Sequence, residues 1–147
     1  MTQGKVLGLD VGDRRIGVAV CDPLRLAARP LETVTRGGRD RDNWAHFAEI
    51  LRREEIVEIV CGLPLHMNGD EGDQARRTRR WAKRFIEAMR EASGSALLLH
   101  FHDERLSSYA AEEVLAGTGI KASQDAAAAA VILQSWLDEQ RRSPTRS

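Results

Sequence analysis

The chain carries no excess of either charge, with 22 basic against 22 acidic residues, so any attraction to a polyanion must come from local segregation rather than from the whole molecule. It has no apolar run near the roughly 20 residues that span a bilayer, and Met1-Thr2-Gln3-Gly4-Lys5 lacks the basic and long apolar regions of a secretory signal. A cytoplasmic protein with no membrane partner is expected. Cysteine is scarce: Cys21 and Cys61 stand alone at the ends of apolar runs, without C-x-x-C spacing, which argues against a zinc knuckle or redox pair and for small core fillers. Repeats and internal linkers are also absent. The 147 residues suit one domain, at a typical length of about 100 to 200, taken here as 1–140 with a disordered basic tail over 141–147.

What is present begins with Val6-Leu7-Gly8-Leu9-Asp10-Val11, a carboxylate inside an apolar strand. An unpaired charge there is costly, so it implies a cation, a donor cluster or a strand end reached by solvent. The plainer alternative is that Asp10 bonds only its own turn. Gly12-Asp13-Arg14-Arg15-Ile16-Gly17 reads as that turn, and alternation resumes through Ile16, Val18 and Val20, predicting a hairpin whose first strand ends at Asp10. Ala27 to Val34 contains Pro30 and reads as a peripheral strand. A helix is expected from Asn43 to about Glu54, a buried strand over Ile56 to Cys61, and a loop from Gly62 to Gly69. The pattern then predicts a long helix from Asp73 to Ala92, a strand from Ala96 to Phe101, and helices over Ser107 to Ala116 and Asp125 to Gln140. This order describes an α/β fold: a mixed sheet built from an antiparallel hairpin meander and parallel strands, with helices on both faces.

Sites in such sheets collect at the carboxyl ends of the parallel strands, where Asp10, the Gly62 loop and His102-Asp103-Glu104 all fall. Asp125, at the start of an Ala-rich helix, reads first as a simple cap. Packed against the same rim it would join Asp10 and Glu104 in an acidic cluster, and such acids repel one another unless divalent cations lie between them. Mg²⁺ or Mn²⁺, two ions in the usual arrangement, suits acids drawn from separate elements and serves phosphodiester cleavage.

Gly8-Leu9-Asp10-Val11-Gly12 with Arg15-Ile16-Gly17-Val18-Ala19, Gly62-Leu63-Pro64-Leu65 with Asn68-Gly69, Asp103-Glu104-Arg105-Leu106-Ser107, and Asp125 before Ala129-Val131-Ile132-Leu133 together resemble the bacterial YqgF/RuvX family. The resemblance runs from about Val6 to Leu137. It implies a ribonuclease H-like fold related to the RuvC resolvases, and Asp10, Glu104 and Asp125 as catalytic, metal-binding acids. It further implies processing of the 5′ end of the 16S rRNA precursor, or cleavage of branched DNA at Holliday junctions, leaving 5′-phosphate and 3′-hydroxyl ends. The chain departs from the family pattern at Asp13, where a Thr is usual, at Asn68, where an Asp is usual, and over Ile120 to Gln124, which lacks the usual lysine and glycine spacing.

Arg14, Arg15 and Arg105 adjoin the acids and are candidate clamps for the scissile phosphate, Arg15 first, because a guanidinium can fork two phosphate oxygens. Arg76, Arg77, Arg79, Arg80, Lys83 and Arg84 crowd onto one helix; Arg77 and Arg80 are taken as substrate contacts, against the alternative of a solvated face paired with Glu71, Asp73 and Glu87. Trp81, off the apolar stripe, reads as a partly covered surface residue, with base stacking or a dimer contact as alternatives. His100 and His102 read as ordinary strand positions. The competing functions are an actin-like or sugar-kinase ATPase, which needs a second domain, and a nucleic-acid or ribosome-binding module whose acids are only caps. Junction cleavage would favour a homodimer; trimming one RNA end would not require it.

Overall fold

The computed structural model describes residues 4–106 and 123–142. Strands β1 (Lys5–Val11), β2 (Arg15–Cys21), β3 (Ala28–Thr35), β4 (Ile56–Leu63) and β5 (Leu98–Asp103) form one sheet in the order β3-β2-β1-β4-β5. The meander β1-β2-β3 is antiparallel, whereas β4 lies parallel to both β1 and β5. Helices α1 (Trp44–Arg53) and α2 (Asp73–Ser93) pack on one face and α3 (Gln124–Arg142) on the other. Central β1 is therefore covered twice, which is why it reads as a nearly continuous apolar run. Leu7, Leu9 and Val11 enter the core under α1 and α2, while Val6 enters the core under α3. By that alternation Gly8 and Asp10 belong to the α3 face.

Pro30 sits on the edge strand as expected, opposite Ala19 where the β2–β3 register shifts, so its missing N–H interrupts no regular ladder. Other boundaries differ from the sequence reading. β1 runs one residue past Asp10, and β5 begins at Leu98 rather than Ala96. Strand β4 continues through Gly62 and Leu63, which the pattern had given to the loop. Helix α3 extends through Arg142, so Arg141, expected in the tail, instead pairs with Asp138 and donates to the Leu26 carbonyl at 3.1 Å. The helix expected over Ser107 to Ala116 lies outside the described residues.

Trp81 is a correction of another kind. It is 2% exposed, stacked on Phe85 with ring centroids 4.9 Å apart and set against Trp44 and Phe47. Packing of α1 beside α2 widens the buried face of α2 past the single stripe, and the indole fills the seam. Cys21 and Cys61 are buried and free, one in each core on opposite faces of the sheet, so they cannot pair. Among the described residues no helix is long and apolar enough to cross a membrane.

Candidate active site

Asp10 is flanked on the sheet by two glycines. Across β2 its register partner is Gly17, and on β4 Gly62 lies one step beyond the Leu9–Cys61 pair. Both are bare because other groups rest on them. A Cβ on Gly17 would overlap the backbone carbonyl of Asp125, so the first turn of α3 sits directly on that strand. A Cβ on Gly62 would stand 2.6 Å from Ile132 Cδ1 and 3.0 Å from Glu104 Oε1, so the Glu104 side chain crosses Gly62 toward Asp10. One register earlier, Gly8 admits Leu133 and the Ala129 carbonyl of α3 by the same device. These glycines were not singled out as site residues. Their signal was glycine at strand positions otherwise filled by β-branched residues, which marks close approach as readily as a break.

Glu104 and Asp10 are hydrogen-bonded through their carboxyl groups. Burial, then the negative charge of Asp10 and the shared hydrogen bond, push the Glu104 carboxyl up to about 7, so Glu104 is the donor. Asp10 is raised by burial and by the charge of Asp125, with the bond from Glu104 acting the other way. Asp125 is thus an electrostatic neighbour of Asp10, but its carboxylate accepts Arg15 Nε at 2.8 Å. Among the described residues no set of three or more His, Cys, Asp or Glu side chains is arranged to hold a metal ion. The sequence expectation of three converged acids therefore resolves into a proton-sharing pair and a third acid held by a guanidinium.

The proton on Glu104 has a measurable consequence. In the metal-free fold that carboxyl keeps its proton to about pH 7, whereas the unfolded chain loses it near 4.5. Between those values the folded state binds the extra proton, so this group's contribution to stability declines as pH rises. Such a shift corresponds to about 3 kcal/mol if water is fully excluded, and roughly 1–2 kcal/mol with the screening expected at this half-buried rim. The Glu104→Gln variant cannot ionise, so its denaturant midpoint relative to the parent is expected to improve from pH 5 to pH 8. A pH-independent difference would contradict the shared proton.

The remaining candidates separate. Arg14 is exposed at the hairpin turn, and Arg15 is already at the acids. Arg105 forks Asp103, with Nη2 at 2.7 Å from Oδ2, and donates Nη1 to the Met67 carbonyl at 3.0 Å. It braces the glycine loop and holds the Asp103 carboxyl below the usual range. His100 bonds Glu58 at 2.8 Å and stacks near Trp136, and buried His102 faces Glu139, so both are strand residues as expected. On α2, Arg76 pairs with Asp73, Arg79 with Glu71, and Arg84 with Asp40. Arg77 and Arg80 make no ion pair among the described residues.

A mixed five-stranded sheet of order β3-β2-β1-β4-β5 with helices on both faces is a ribonuclease H-like fold. The chain belongs to the RuvX family, whose description is "Holliday junction resolvase" and whose profile matches residues 4–139. It is 43% identical over 141 residues to a Synechococcus sp. protein named "Putative pre-16S rRNA nuclease", covering 92% of this chain and 89% of that one. A protein of the same name from Anaeromyxobacter dehalogenans is 43% identical over 145 residues, covering 95% and 99%. Among solved structures, the fold matches T. thermophilus RuvC in complex with a Holliday junction substrate, with TM-score 0.70, 20% identity and coverage of 95% and 96%. It also matches the yeast mitochondrial Holliday junction resolvase Ydc2, with TM-score 0.62, 12% identity and coverage of 99% and 82%.

Proposed function

We propose that this chain is a divalent-metal-dependent nuclease that hydrolyses phosphodiester bonds, acting in processing of the 5′ end of the 16S rRNA precursor. The observation that carries this reading is the Asp10–Glu104 pair. Two desolvated carboxyls held together by one proton form a site of unsatisfied negative charge, and a hard cation could replace that proton. The donor set is carboxylate oxygen, which suits Mg²⁺ or Mn²⁺. Asp10 and Glu104 would hold the ion, joined by Asp125 once its carboxylate leaves Arg15. Such an ion lowers the pKa of a bound water and offsets charge on the leaving oxygen.

The chain's own groups do the rest. Asp10 is fixed by the flanking strands, and Glu104 by its path over Gly62. Arg15, freed from Asp125, can fork the scissile phosphate from the hairpin side, with Arg14 beside it in solvent. Arg105, clasped by Asp103, holds the 64–71 loop as a wall of the cleft. Attack by water with departure of the 3′ oxygen leaves 5′-phosphate and 3′-hydroxyl ends.

The relatives' rRNA nuclease name favours the RNA precursor, and the family's resolvase description favours branched DNA as the second reading. Purified protein offered a 5′-extended 16S precursor and a synthetic four-way junction at matched Mg²⁺ and salt is expected to trim the precursor at the mature end. Symmetric cutting of the junction by a stable dimer, with the precursor untouched, would establish the second reading instead. Binding to both without cleavage of either would leave only a binding module.

A further inference from the structure

At the carboxyl end of β1, the face opposite the acids is also built for anions. A cavity of about 270 Å³ there is lined by Arg36, Arg77, Arg80 and Arg84, with Thr78 and Trp81 beneath them. Its floor is firm, since Trp81 and Thr78 are only 2% and 3% exposed. Its wall is preorganised: Arg36 donates to the Gly12 carbonyl at 2.8 Å, and Asp40 accepts from Arg36 at 3.0 Å and from Arg84 at 2.6 Å. One carboxylate thus ties two guanidiniums from different elements to the hairpin turn. Arg77 and Arg80 complete the ring without an ion pair of their own among the described residues. The four arginines outnumber the nearby carboxylates of Asp13, Asp40 and Asp73, so the cavity has a net positive field in a partly desolvated hollow. Single solvated arginines on a helix do not need such a floor or such bracing.

Val11 faces α2 and Asp10 faces α3, so the cavity and the acid pair are back to back across one strand, joined over the rim by the turn that carries Arg14 and Arg15. We propose that Arg36, Arg77, Arg80 and Arg84 form a phosphate pocket that takes a backbone phosphate of the same nucleic-acid strand whose scissile bond lies at Asp10. The strand then wraps the carboxyl rim of the sheet from the α3 face to the α2 face, crossing the β1–β2 turn. This extends the nuclease reading, on which it rests, by giving the substrate a second fixed point. Guanidiniums gathered around one hollow suit a backbone phosphate, a contact that positions the strand and carries no sequence information directly.

The test is binding of a fluorescent single-stranded RNA oligonucleotide in the presence of a chelator, so that cleavage does not enter. Arg77→Gln/Arg80→Gln is compared with Arg52→Gln/Arg53→Gln, which removes the same charge at the C-terminus of α1, and thermal melts verify that both fold. The pocket variant is expected to weaken binding at least tenfold at low salt and to reduce the slope of log K against log salt by about 1.4, the value for two lost single-strand contacts. The control pair is expected to do neither. A separate titration with inorganic pyrophosphate distinguishes a free anion as the source. Oligonucleotide binding unchanged in the pocket variant, whether or not pyrophosphate binds the parent, overturns the proposal. Parent protein that binds the oligonucleotide through the pocket but cuts nothing with Mg²⁺ or Mn²⁺ would instead overturn the nuclease reading and leave the pocket standing.

Discussion

Replacing Asp10 by Asn is expected to lower metal-dependent cleavage by at least about a thousandfold while the protein stays folded, a loss of about 4 kcal/mol in transition-state stabilisation. The amide keeps the size of the carboxylate but removes its charge, and Asp10 is the member of the pair that stays ionised beside protonated Glu104. Because burial and the nearby Asp125 charge disfavour the Asp10 carboxylate in the metal-free fold, the same change is expected to leave the melting temperature at neutral pH equal to or above the parent's. Cleavage and stability should therefore move in opposite directions. A variant that loses both would place Asp10 among groups needed for folding, and one that loses neither would remove it from the chemistry.

The second large effect is expected from Gly17→Ala. A methyl group there overlaps the Asp125 carbonyl, and neither side can yield easily, because Gly17 lies inside the β1–β2–β3 meander and Asp125 begins a helix whose next turns are anchored on Gly8. Relief requires lifting the first turn of α3 from the sheet. Overpacking of this kind costs about 3 kcal/mol or more when the obstacle is backbone, which for a chain of this length lowers the melting temperature by roughly 10 °C. The folded fraction is also expected to cleave poorly, since lifting that turn carries Asp125 away from Asp10. The Gly38→Ala variant, with nothing within 4 Å of its new methyl, is the matched control and should leave both properties unchanged. A Gly17→Ala protein as stable as the parent would show that α3 does not rest on β2 as described.

The same glycines show where sequence patterning succeeds and where it stops. The hairpin, the edge position of Pro30 and the gathering of Asp10 and Glu104 at one rim follow from local rules, because alternation, turn residues and strand order are local or nearly so. The pattern assigns Gly62 to a loop because glycine after a strand usually ends it, yet β4 runs on and the glycine admits a side chain from beyond the next strand. Periodicity puts Trp81 outside the apolar stripe because one helix alone has one stripe, and only the neighbouring helix makes the wider face. The basic run on α2 is legible as charge and in part as pairing: the expected partners Asp73 and Glu71 take Arg76 and Arg79, whereas Asp40, far outside the helix in sequence, takes Arg84, and among the described residues Arg77, Arg80 and Lys83 make no ion pair. The grip of Arg15 on Asp125 joins residues more than a hundred positions apart, and no spacing rule foretells it.

The central claim is that the proton shared by Asp10 and Glu104 stands where a divalent ion binds. Calorimetric titration of Mn²⁺ at pH 6, repeated in buffers of different ionisation enthalpy, reads ion binding and proton release together. Saturable binding that releases close to one proton per protein, with both signals lost in Asp10→Asn, is the predicted result. Binding of equal strength in Asp10→Asn, or binding by the parent with no proton released, would contradict it.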